Sequence, residues 1–147
     1  MNGQDTNITI DPDPKTIAFT GNCFGLSDDQ KKEIIKIFDT CPNITVFHGD
    51  CVGADTDFHN LCLEYRTKQN KQIQIHIYLP DNDKLRGFNK GDIYMNPQPY
   101  LTRNKNMVKK CDILIGCPID KNKEQLRSGT WATIRYANKI KKQIYLL

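Results

Sequence analysis

Along this chain, short apolar runs alternate with segments in which apolar residues recur every three to four positions. Residues 17–20 read as a strand running into Gly21-Asn22. Ser27 then opens a helix, with Gln30 at capping-box spacing, Ile34, Ile35, Ile37 and Phe38 on its buried side, and Pro42 past its end. A second strand, 44–47, leads into the loop His48-Gly49-Asp50-Cys51-Val52-Gly53. A helix from about Asp55 follows, carrying Phe58, Leu61, Cys62 and Tyr65 on one side. The third strand, 72–79, sets Ile73, Ile75, Ile77 and Leu79 against Gln72, Gln74, His76 and Tyr78, so one of its sides is expected to be wet or in an interface. Residues 80–98 are polar, hold Gly and Pro, and are too long for a mere connection; they read as a functional or mobile loop. A helix over 99–110 precedes Ile113-Leu114-Ile115, a continuous apolar run expected of a central strand buried on both sides. The loop ending Arg127-Ser128-Gly129-Thr130, a helix through Lys139 and a strand over 143–146 complete the pattern. Strand and helix alternate about five times, which predicts an α/β protein with a mainly parallel sheet of about five strands.

The length of 147 residues fits one domain. The first fifteen residues are polar and contain Asp11-Pro12-Asp13-Pro14, so they are expected to form a loosely docked arm before a single domain over 16–147. No run of apolar residues is long enough to span a membrane and the N-terminus lacks a secretory pattern, so a cytoplasmic protein with no membrane partner is expected. Net charge is +4, and the lysines at 31–32, 109–110 and 141–142 are spread along the sequence. Nucleic acid is therefore not expected as a partner, and an anionic small molecule is the more natural one. The six cysteines form no CxxC pair and no zinc spacing, so free thiols are expected, with no metal, no disulfide and no cofactor.

In an open parallel sheet, ligands bind beyond the carboxyl ends of the strands. Gly21, Gly49, Gly53, Gly116 and Gly129 cluster in the segments that should lie there, and turns with helix N-termini form anion sites from backbone N–H groups. Neither GxGxxG nor GxxxxGK[ST] occurs, and no Ser/His/Asp set is legible. His48 and His59 flank the second loop and read as structural or ligand-contacting; His76 lies on the polar side of its strand. Asp55 could cap its helix, while Asp50 and Asp57 could hold a ribose hydroxyl.

The segment HGDCVGADTDFH (48–59) resembles the HGxxxGAD signature of the SLOG superfamily, in its small stand-alone members related to the Lonely Guy phosphoribohydrolases. Three further blocks agree in order: FTGN (19–22), TRNKNMVKKCDILIG (102–116) and SGTWATIRYA (128–137). The resemblance covers residues 16–147 and implies a Rossmann-like three-layer fold that binds a nucleotide or a derivative of one. It implies ligand contacts from Gly21 and Asn22, from Gly49, Asp50, Gly53, Ala54 and Asp55, from Arg103 and Asn104, and from Ser128, Gly129, Thr130 and Trp131. Arg103 matches the arginine that the hydrolases use. Two departures stand out. Cys23 follows Asn22 where an arginine is usual, and Thr133 stands where the hydrolases carry a glutamate. The expectation is thus a sensor or sequestering module for a nucleotide-derived ligand, with homodimerisation as in relatives. The alternative is a nucleoside monophosphate hydrolase in which Arg103 is catalytic and Asp55 or Asp57 positions water. A third reading is a plain interaction protein using the third strand or the 80–98 loop.

Overall fold

The computed structural model describes residues 14–147, and the expected N-terminal arm lies outside them except for Pro14 and Lys15. Lys15 already belongs to the first strand, β1 (Lys15–Gly21). The elements then run α1 (Asp28–Asp39), β2 (Asn43–His48), α2 (Ala54–Lys68), β3 (Gln72–Pro80), β4 (Ile93–Gln98), α3 (Tyr100–Lys110), β5 (Ile113–Cys117), α4 (Gly129–Lys139) and β6 (Gln143–Leu146). The strands form one six-stranded sheet in the order β4-β3-β2-β1-β5-β6, and every pairing is parallel. The chain winds outward from β1 through β2 to β3 and β4, then returns to place β5 on the other side of β1. That reversal puts a topological switch point between β1 and β5.

Two apolar layers fix the sheet between helices. On one side Ile17, Phe19, Val46, Ile75 and Ile115 meet Ile34, Ile37 and Phe38 of α1 and Phe58, Cys62 and Tyr65 of α2. On the other, Ala18, Phe47, Tyr78 and Leu114 meet Met107 and Val108 of α3 and Trp131, Ile134 and Ala137 of α4. The first layer is knit by rings: Phe19 stacks on Phe58 with centroids 4.3 Å apart, and Phe38 lies edge-on to Phe58 at 6.0 Å. β1 and β5 are flanked by strands on both edges and covered on both faces, which is why their sequences are continuously apolar. The capping box of α1 forms as its spacing predicts, Ser27 and Gln30 each accepting the other's backbone N–H at 3.1 and 2.9 Å.

The 80–98 segment differs from expectation, because its second half is a strand. β4 pairs with β3 alone, and most of its residues are exposed. An edge strand with Pro97 has no alternating apolar pattern to reveal it. The two sides of β3 also become assignable. Ile73, Ile75 and Ile77 are buried against α2, while Gln72 and Gln74 are wet and Tyr78 is buried under α3 near the strand's end.

Phe58 touches both Phe19 and Phe38, so its removal opens the first apolar layer at its centre. Phe58→Ala is expected to lower the unfolding free energy by about 3–5 kcal/mol, read as a fall in the urea midpoint at unchanged slope.

Candidate functional site

A cleft of about 440 Å³ opens at the carboxyl edge of the sheet, over the β1/β5 switch point. Gly21, Asn22 and Cys23 following β1 and Cys51 and Val52 following β2 form its floor. Pro80 to Leu85, after β3, supply one wall; Pro118, Ile119, Gln125 and Ser128 to Thr130, after β5, line the other. Tyr100, at the start of α3, closes the end, its ring so near Gly129 that a side chain there would collide with it.

The floor is interlocked backbone. Asn22 N–H donates to the Cys117 carbonyl at 3.0 Å, and Ala54 N–H donates to the Asn22 carbonyl at 2.9 Å. The Asn22 carboxamide is committed too, accepting from Phe24 and Gly25 and donating to Cys117. Gly53 precedes α2 with φ +88°, and the backbone of Cys23 rests where a β-carbon would stand, so only glycine fits. Asp55 is therefore not the helix cap. It is the second residue of the helix, buried, accepting the N–H of Cys51 at 3.1 Å. Asp57 accepts the N–H of Leu26 at 2.8 Å and so pins the loop after β1.

Behind the floor sits a second tier of buried polar groups. Arg103 donates to the Gly49 carbonyl at 2.7 Å and to the side chain of Asn104 at 3.1 Å, and its guanidinium lies 4.9 Å from the Tyr100 ring centroid. Gly49 is required because the guanidinium occupies the space a side chain would need. Asp50, fully buried at φ +60°, accepts Arg86 Nε at 2.8 Å and both the backbone and side-chain N–H of Asn89 at 2.9 Å. Those bonds strap residues 85–89 across the loop after β2, with Val52 N–H donating to the Leu85 carbonyl at 2.9 Å.

Asp50 N–H also donates to His48 Nδ1 at 3.0 Å, so the His48 proton is on Nε2, which faces His59 Nδ1 at 2.9 Å. Burial, then His59 and Arg103, holds His48 neutral down to about 3. Burial lowers His59 as well and raises Asp55 to about 6. The Cys51 thiol is pushed up to about 11 by burial and by Asp55, so it is protonated at neutral pH.

Among the residues expected at the site, Gly21, Asn22, Ser128, Gly129 and Thr130 line the cleft. Gly49, Asp50, Gly53, Ala54, Asp55, Arg103 and Asn104 belong to the supporting tier, and Trp131 packs into the second apolar layer. Thr133 is buried, its hydroxyl turned back onto the Gly129 carbonyl at 2.9 Å. The carboxylate on the lining is instead Asp81, and the cation is Lys84. Residues 80–85, Tyr100, Pro118, Ile119 and Gln125 carry no motif. Residues 80–85 are signalled by the length and polarity of the 80–98 stretch, and the others by position alone, since each follows a strand's carboxyl end.

No protein-family model and no curated protein sequence matches this chain. Among solved structures it is similar to the molybdenum cofactor binding protein from the phototrophic bacterium Rippkaea orientalis, with a TM-score of 0.64 and 18% identity over 91% of this chain and 76% of that one. It is also similar to DNA processing protein A (DprA) from Streptococcus pneumoniae, with a TM-score of 0.58 and 17% identity. The fold is Rossmann-like. The likeness to the second covers 90% of this chain and half of the other protein's length. At these identities the likeness concerns architecture alone.

The buried ionisable groups act in opposite senses on stability. As pH falls below about 6.5, the unfolded chain gains protons on His48 and His59 that the folded one resists, so stability drops. Asp55 holds its proton up to about 6 when folded, against 3.8 as its ordinary value, so it favours folding as pH falls through that window. Urea midpoints are expected to decline from pH 6.5 to pH 4, and Asp55→Asn should make that decline steeper by removing the opposing contribution.

Proposed function

We propose that this chain binds a nucleotide or nucleotide-derived ligand in the cleft, as a sensor or sequestering module. The observation that carries this reading is the contrast among the helix N-termini at the carboxyl edge. The first turns of α1 and α2 already hold Asp28 and Asp29, and Asp55 and Asp57. α3 and α4 have no acidic residue in their first turns, but α3 starts at Pro99 with Tyr100 closing the cleft, whereas α4 opens into it at Ser128-Gly129-Thr130. A phosphate would meet N–H groups, the Ser128 hydroxyl and a helix dipole that no carboxylate neutralises. Val52, Leu85, Ile119 and Pro118 supply apolar surface for a planar ring, and the volume lies within the range of about 300–1,000 Å³ common to small-molecule sites. The similar protein named for binding molybdenum cofactor is in keeping with ligand binding at this fold. In this reading Arg103, Asp50, Asp55 and Asp57 position the loops rather than touch the ligand. The wet half of the second sheet face, around Gln72 and Gln74, is where a homodimer contact would form.

Hydrolysis of an N-glycosidic bond is the second reading, and the presence of Asp81 on the lining favours it, since that chemistry needs a carboxylate near the sugar. Ligand-observed proton NMR with AMP, dAMP, ADP-ribose, NAD and cyclic nucleotides separates the two. Broadened ligand lines without new peaks are expected, whereas a ribose 5-phosphate signal would assign the hydrolase, and Asp81→Asn should then abolish it. Lys84→Gln is expected to weaken binding about tenfold without moving the melting temperature. Absence of any response across the panel would sink both readings for those compounds.

A further inference from the structure

The lysines that look dispersed along the sequence are sorted by the fold. α1 and α2, which cover one side of the sheet, hold seven acidic and five basic residues. The segments 100–110 and 129–142, which form α3, α4 and the turn after α4 on the other side, hold six Lys and two Arg and no acidic residue at all. Arg103 is buried and Arg135 pairs with Glu124 at 2.7 Å. Lys142 bridges the two helix ends, its ammonium donating to the Lys109 and Cys111 carbonyls at 3.1 and 2.8 Å. That bond sets the turn after α4 against the end of α3, and the remaining five, Lys105, Lys109, Lys110, Lys139 and Lys141, are all exposed. Lysines in a last helical turn complement the dipole, which accounts for Lys109, Lys110 and Lys139 one by one. Lys105, in the middle of α3, lies over the Tyr136 ring of α4 at 5.5 Å. Neither contact accounts for the absence of every acidic residue from both segments.

We infer that the outer face of α3 and α4 is a docking surface for the phosphate backbone of a nucleic acid, read by charge and not by sequence. Five exposed lysines match a regular array of negative charges, and the carboxylates flanking the two segments are already engaged, Glu124 by Arg135 and Asp112 by Thr16. An anionic membrane fits less well. The large exposed apolar residues of α3 are Tyr100 and Leu101, both at its cleft end, and none lies among the lysines to enter a bilayer. The surface is separate from the cleft, so this inference stands or falls independently of the small-ligand reading.

The test is fluorescence anisotropy of a labelled 20-nucleotide single strand of mixed sequence, titrated with the full-length protein from 50 to 200 mM salt. Saturable binding is expected, with affinity falling with salt at a log–log slope of about −2 to −4, from roughly −0.7 per phosphate neutralised. Replacing Lys105, Lys109 and Lys139 together by Gln should weaken binding at least tenfold, with circular dichroism and melting temperature unchanged. The same change at Lys31, Lys32 and Lys36 on α1, which alters net charge equally, should cost less than threefold. No saturable binding at 50 mM salt would overturn the inference. So would equal losses in the two triple variants, or polyglutamate displacing the strand as well as unlabelled DNA of equal charge.

Discussion

The buried carboxylate of Asp50 holds the upper edge of this molecule together. It accepts three hydrogen bonds from Arg86 and Asn89, while its own N–H fixes His48 and, through that ring, His59. A carboxylate taken fully out of water is tolerable only when its oxygens are satisfied and a cation is at hand, and this one has both. Because the donors come from the 81–92 connection, a segment with no helix of its own becomes a fixed wall. The cleft therefore exists as a shaped space and not as a gap between mobile loops.

A division of labour follows. Side chains that motif reasoning singles out for ligand contact, such as Asp50, Asp55 and Arg103, are spent on holding backbone in place. The groups left facing the cleft are mostly backbone N–H, small hydroxyls, apolar surface and two thiols. An anion held by N–H groups is recognised by geometry, which demands that the loops bearing those groups do not move. The dense polar tier beneath the floor supplies that rigidity, and it shows how an edge rich in charged residues can present few of them to the cleft.

Much of this architecture was legible in the sequence, for physical reasons that can be named. β1 and β5 announced themselves by continuous apolar runs because both faces are covered, and α1 by a cap whose two partners are three residues apart. Gly49, Gly53 and Gly129 marked the edge correctly because a close approach by Arg103, Cys23 or Tyr100 leaves no room for a side chain. β4 was not legible, since an exposed edge strand has neither alternation nor a buried run. Nor could a linear reading tell that Lys142 would reach the carbonyl of Lys109, thirty-three residues away, at the ends of two neighbouring helices. That contact depends on how the helices are laid over the sheet, which no local pattern encodes.

The connection between β3 and β4 has a consequence for how such a protein can change. In most parallel sheets the crossover is a helix packed on the core, and altering it disturbs the fold. Here residues 81–92 cross without one, anchored at Asp50 and at Asp92, which accepts the Ile75 N–H at 2.8 Å. Ahead of those anchors, Asp81, Asn82, Lys84 and Leu85 line the cleft and belong to neither apolar layer. Side chains along this stretch can change with small effect on the apolar layers, so the wall of the cleft can be resurfaced while the sheet and its helices stay as they are.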